Sequence, residues 1–95
     1  MFTGIISDIG EISKLTNSGD VRARIICNYL TKSIDLGASI ACDGICLTVV
    51  DRGSDEKNWF EVDISAETVS RTTISAPQNG WKIGRKLNLE RSLKV

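Results

Sequence analysis

The sequence predicts an all-β fold, an antiparallel barrel or sandwich of about six strands with one or two short helices, and three observations predict it. Apolar residues recur with a period of two, not the helical period, over most of the chain. Short apolar runs are separated by turn-forming clusters, of which Asp43-Gly44 is the sharpest. Ninety-five residues hold one domain, expected to span 1–95, and leave no room for a second.

Each element follows in order. Ile5 to Leu15 is a strand-like run, and Thr16-Asn17-Ser18-Gly19-Asp20 supplies a turn after it. Val21, Ala23, Ile25 and Cys27 then alternate with Arg22, Arg24 and Ile26, the pattern of a half-buried strand. Tyr29 to Leu36 is irregular and is expected to hold a short helical turn, after which Gly37 reopens extended structure.

Asp43-Gly44 lies between two apolar runs and predicts a two-residue hairpin, because a type I′ turn needs positive φ at both central residues. That turn sets the register: Cys42 opposite Ile45, Ala41 opposite Cys46, Ile40 opposite Leu47, Ser39 opposite Thr48. Ile40, Cys42, Ile45 and Leu47 share the core face. Ser39, Ala41, Cys46 and Thr48 share the other, where small side chains leave space for a flat ring and offer hydroxyls and a thiol. The same pattern also suits a strand face that simply meets solvent.

Phe60, Val62 and Ile64 alternate with Glu61, Asp63 and Ser65 in a further strand. Ser65 is placed to cap a short helix from Ala66 to about Ser70, whose first amides would suit a carbonyl or an anion, or would merely close the strand. Gln78-Asn79-Gly80 is a turn, and Leu87 and Leu89 alternate with Asn88 and Glu90 in the last strand.

Composition removes several function classes. Twelve basic and twelve acidic residues cancel and only 5% of residues are aromatic, which speaks against a nucleic-acid surface. No apolar stretch approaches the ~20 residues of a membrane span, and the first residues lack an export signal. With three cysteines and no such signal, free thiols in a cytoplasmic protein are the expectation. The absence of histidine excludes His-assisted serine or cysteine catalysis and imidazole–zinc sites, and Cys27, Cys42 and Cys46 lack the paired spacing of a thiolate metal site.

Met1-Phe2-Thr3-Gly4-Ile5-Ile6, Gly37-Ala38-Ser39-Ile40, Asp43-Gly44-Ile45-Cys46-Leu47-Thr48-Val49, Glu67-Thr68 and Asn88-Leu89-Glu90-Arg91 occur in this order. Together they resemble the amino-terminal repeat of the riboflavin synthases. The resemblance implies a six-stranded Greek-key barrel, one of two in tandem, in a homo-oligomer of three subunits. The family's reaction dismutates two molecules of 6,7-dimethyl-8-ribityllumazine to riboflavin and a ribitylamino-pyrimidinedione, without metal or organic cofactor. Riboflavin is expected to co-purify as bound product.

Carried over position by position, three segments line the ligand site. Gly4, Ile5 and Ile6 offer backbone groups and an apolar wall. Cys46, Leu47 and Thr48 lie along the ring, with the Thr48 hydroxyl on a polar edge. Asp63, Ile64, Ser65, Ala66, Glu67 and Thr68 hold the ribityl chain and the pyrimidine edge. Cys46, Ser39 and Phe2 are the candidates for a part in the chemistry, Phe2 as a shield over the ring. The chain lacks the Gly-His motif of the second repeat and stops at Val95, where a second barrel would begin. An isolated domain of a longer protein is therefore expected in preference to a natural single-barrel relative, forming a dimer on its own and turning over little substrate. The alternative reading is a lumazine- or flavin-carrying protein without the reaction.

Overall fold

In a computed structural model, which describes residues 8–18, 20–29, 34–71 and 80–91, the chain forms six strands and one short helix. The strands are β1 (Asp8–Ser18), β2 (Asp20–Cys27), β3 (Ser39–Cys42), β4 (Ile45–Ser54), β5 (Asn58–Ile64) and β6 (Lys86–Arg91). The helix α1 (Ala66–Arg71) lies between β5 and β6. The sheet closes in the order β1-β2-β5-β4-β3-β6, with every neighbouring pair antiparallel.

That order is a Greek key twice over. The meander β3-β4-β5 is flanked by β2 on one side and β6 on the other, each joined to it by a long connection. Closure abolishes the free edges that an open six-stranded sheet would expose. Among the described residues, no helix is long and apolar enough to cross a membrane.

Period two in the sequence becomes inside and outside in the barrel. Val21, Ala23, Ile25 and Cys27 of β2 point inward, as do Phe60, Val62 and Ile64 of β5 and Leu87 and Leu89 of β6. Phe60, Ile25, Leu87 and Leu89 are fully buried, and Ile12, Ile40 and Cys42 complete the centre. The alternation needs two corrections along the strands. An extra residue at Ser13 in β1 and at Val50 in β4 shifts the register, so each strand bends without turning its apolar set outward.

The predicted hairpin forms with the predicted register: Cys42 pairs with Ile45, Ala41 with Cys46, Ile40 with Leu47 and Ser39 with Thr48. Asp43 and Gly44 adopt φ of 50° and 81°, the positive pair that a type I′ turn demands. Asp43 does more than turn. Its carboxylate accepts from the Asn88 amide at 2.7 Å and from Arg85 Nη2 at 3.0 Å, locking the hairpin onto β6.

Two expectations change. The turn after β1 is tighter than Thr16 to Asp20, because Thr16, Asn17 and Ser18 are still paired with Arg22, Val21 and Asp20. Glu61, placed outward by alternation, is nevertheless buried, covered by two arginines of β2. One helix stands among the described residues; half of the segment Tyr29 to Leu36, where a helical turn is expected, falls outside them.

Candidate functional site

The pairing of three strands brings the sequence-predicted residues together. Ser39 on β3 pairs with Thr48 on β4, and Thr48 pairs with Asp63 on β5. Outward alternation places all three side chains on the outer surface, Thr48 and Asp63 exposed and Ser39 half-buried. Cys46 lies two residues from Thr48 on the same face of β4 and is exposed as a free thiol. Two residues beyond Asp63, Ser65 opens α1. The result is a polar strip, one side chain deep, running from β3 to the start of the helix.

Leu47 and Ile64 turn their side chains into the core, at 5% and 1% exposure. Only their backbone groups face outward, so the segments around them can serve a ligand through every second side chain. Ala41, on the outer face, is itself buried opposite Glu90 of β6. Phe2, Gly4, Ile5 and Ile6 lie outside the described residues.

The start of α1 forms as expected, but its first amides find partners within the chain. Ser65 is the cap: its Oγ accepts from the Thr68 amide at 3.2 Å and lies 3.0 Å from Thr68 Oγ1. The Ala66 amide donates to the Asp20 carboxylate at 3.0 Å. Neither Ala66 nor Thr68 therefore presents the free amide that a bare helix start would offer. The sequence lacked a signal for this, because Asp20 is 46 residues away from Ala66.

The strip's electrostatics come from one partner that the sequence reading missed. Arg22 of β2 pairs with Asp63, its Nε donating to Oδ1 at 2.8 Å and its Nη2 to Oδ2 at 3.4 Å. The hydrogen bond from Arg22 holds the Asp63 carboxyl below the usual aspartate range; partial burial opposes it, and the charge of Arg22 adds a smaller push downward. In contrast, burial pushes the thiols of Cys27 and Cys42 up to about 11 and about 12. Both are inert hydrophobes at neutral pH, which leaves Cys46 as the thiol able to meet a solute.

A concavity of about 480 Å³ lies elsewhere, over Trp59 and bounded by Ser13, Arg24, Ile26, Asp55 and Lys57. Volume alone does not make it the site. Arg24 is already bound to Glu61 at 2.7 Å, and Asp55 accepts from Trp59 Nε1 at 3.2 Å. On the β3-β4-β5 face, by contrast, Ser39, Cys46 and Thr48 make no side-chain hydrogen bond or ion pair with the described residues.

Comparison with known proteins identifies the family of the chain. The chain is 51% identical over its whole length to the riboflavin synthase of Brucella abortus strain 2308. It is 43% identical over 98% of its length to the riboflavin synthase of Bacillus subtilis strain 168. It spans 46% and 40% of those two relatives, less than half of each. Among solved structures, it resembles LumP complexed with riboflavin, with a TM-score of 0.74 and 28% identity over 96% of this chain and 46% of that one. The family model for the lumazine-binding domain matches residues 3–92, nearly the full chain, and the chain belongs to that family.

Proposed function

We propose that this barrel is the amino-terminal substrate-binding domain of a riboflavin synthase, and that its β3-β4-β5 face binds one ribityl-bearing lumazine or flavin. The observation that carries the reading is the in-register row Ser39–Thr48–Asp63, with Cys46 beside it and Ser65 at its end. Cys46, Thr48, Asp63 and Ser65 are positions that the family resemblance assigns to ligand contact, Ser39 is a candidate for the chemistry, and the strand pairing sets them along one surface. Gly4, Ile5 and Ile6 complete the site in this reading, and Phe2 covers the ring.

The chemistry asks little of the side chains. The C7 methyl of the lumazine is acidic because its carbanion delocalises into the ring. What the protein supplies is two substrates held in the correct mutual pose, worth up to ~7–11 kcal/mol. A positioned acid or base adds ~10²–10⁴-fold. Cys46 is the first candidate, with Ser39 second, since both are uncommitted and outward-facing. An open face cannot itself trap two substrates, so the reaction uses a second barrel that closes over this one. The two-barrel protein is then a cytoplasmic trimer, whereas this domain alone forms a two-fold dimer and turns over slowly.

The test is a titration with riboflavin followed by its fluorescence. Quenching or a spectral shift that saturates at one ligand per chain supports the reading. No change up to ~1 mM, the weak end of specific affinity, refutes it. Riboflavin formation from lumazine by the two-barrel parent separates an enzyme from a carrier.

A further inference from the structure

The row across the candidate face does not stop at Asp63. Its next member is Arg22 on β2, and the guanidinium grips both carboxylate oxygens at 2.8 and 3.4 Å. Arg22 is itself held in place. Its Nη1 lies 3.7 Å from Glu61 Oε1, and the other oxygen of Glu61 accepts from Arg24 at 2.7 Å. Arg24 in turn stacks 3.7 Å above the Trp59 ring. A chain of fixed groups thus runs along the outer surface and ends on a carboxylate beside Thr48.

We infer that Arg22 is a positioning residue of the ligand site, orienting the Asp63 carboxylate so that it meets the polyol chain of the ligand as a preset acceptor. The inference rests on the site proposed above. Its physical basis is geometric. An aspartate at an exposed strand end turns freely, and a ligand that needs one rotamer must immobilise it. A two-toothed guanidinium removes that freedom in advance. A carboxylate has about four lone-pair sites, and the fork occupies one on each oxygen, so Asp63 keeps capacity for a hydroxyl donor.

The charges around Asp63 are mixed. β2 contributes Arg22 and Arg24, β5 itself Glu61, β4 Asp51, and the turn into α1 is tied to Asp20. Arg22 is the cation in direct contact, and without it the acidic neighbours would disfavour the ionised carboxylate.

The experiment compares riboflavin titrations of the wild-type chain, Arg22→Gln, Arg22→Lys, Asp63→Asn and the double variant Arg22→Gln/Asp63→Asn, with melting curves for each. Arg22→Gln is expected to raise Kd about 3- to 10-fold, part of one charge-assisted hydrogen bond, with nearly unchanged melting because the pair is half-exposed. Arg22→Lys recovers part of the loss, keeping the charge without the fork. As pH falls, affinity declines earlier in Arg22→Gln than in the wild type, since the carboxyl is no longer held low. The double variant binds no worse than Asp63→Asn alone, because Arg22 acts through Asp63.

Wild-type affinity in Arg22→Gln overturns the inference, as do fully additive losses in the double variant, which would put Arg22 on the ligand itself. If Arg22→Gln does not fold, unchanged affinity in Arg22→Lys overturns it equally. A wild-type chain that binds no riboflavin sinks the site and this inference together, whereas a wild-type chain that binds while the variants match it sinks this inference alone.

Discussion

Two polar faces meet along β5, and they are built in opposite ways. On the β2 side both arginines and the indole are committed: Arg24 on Glu61 and Trp59, Arg22 on Asp63 and Glu61, Trp59 on Asp55. On the β4 side, Ser39, Cys46 and Thr48 are small and uncommitted. Satisfied groups stiffen a surface but have nothing left to offer a solute, whereas unsatisfied, solvated ones cost little and wait for a partner. Asp63 belongs to both faces. The contrast teaches that a binding surface in a small barrel is marked by what its neighbours have left unpaired, not by the volume of a hollow.

The comparison breaks most directly at Glu61. It is buried at 8% exposure beneath Arg22 and Arg24. Glu61→Ala removes the anion from between two cations. A fully buried pair broken this way costs ~3–5 kcal/mol; here Arg24 keeps access to water, so about 1–3 kcal/mol is expected. In a domain of this size that lowers Tm by roughly 4–8 °C per kcal/mol. Differential scanning calorimetry checks it, and a shift as small as that of an exposed-face variant would show that the committed face is not structural.

Gly53 tests the same face by steric means. The indole of Trp59 lies across it, and a Cβ there would meet Trp59 Cζ2 at 2.3 Å. Gly53→Ala must lift the ring off β4 and loosen the Arg24 stack, at about 1–2 kcal/mol. Tryptophan emission should shift to the red as the ring gains water. Unchanged emission and unchanged Tm would mean that the ring slides without loss.

How far the sequence reached depends on how local each feature is. The β3-β4 hairpin was legible in full because two residues, Asp43 and Gly44, set its register. Membership of the core in β2, β5 and β6 was legible because burial follows alternation. What stayed hidden depends on which strands become neighbours. Arg22 reads as an ordinary outward residue until β2 pairs with β5, 41 positions later, and sets it against Asp63. Asp20, which takes the Ala66 amide, is hidden for the same reason. The register slips at Ser13 and Val50 leave no mark that alternation alone can detect.

On the uncommitted face the expected effects fall on binding, not on folding. Thr48→Val is nearly isosteric and removes one exposed hydroxyl. Riboflavin affinity should fall by ~0.5–1.5 kcal/mol, the worth of an ordinary hydrogen bond, while Tm stays where it was. Equal affinity would remove Thr48 from the site. A fall in Tm matching that of Glu61→Ala would erase the distinction between the faces.

The smallest expected effect, and the sharpest contrast, lies in two cysteines four residues apart. Cys42 is fully buried, and its thiol is pushed up to about 12 by burial, with the nearby Asp43 carboxylate adding to the shift. Cys27 is raised to about 11, again by burial first. A raised thiol stabilises the fold below its unfolded value near 9, and that contribution is lost as pH climbs from about 9 towards 11 and 12. Alkaline melting should therefore decline steeply in this window. Cys46→Ser is predicted to leave Tm unchanged at neutral pH, where Cys42→Ser places a hydroxyl among Ile40, Leu47 and Leu89 and destabilises the barrel. A chromogenic disulfide reagent at pH 8 should titrate one thiol quickly and the other two only after unfolding. Saturating riboflavin should slow that fast reaction if the ring lies along Cys46. A fast thiol whose rate ignores riboflavin would move the ligand off this part of the face, and two fast thiols in the native chain would mean that the β3-β4 hairpin opens.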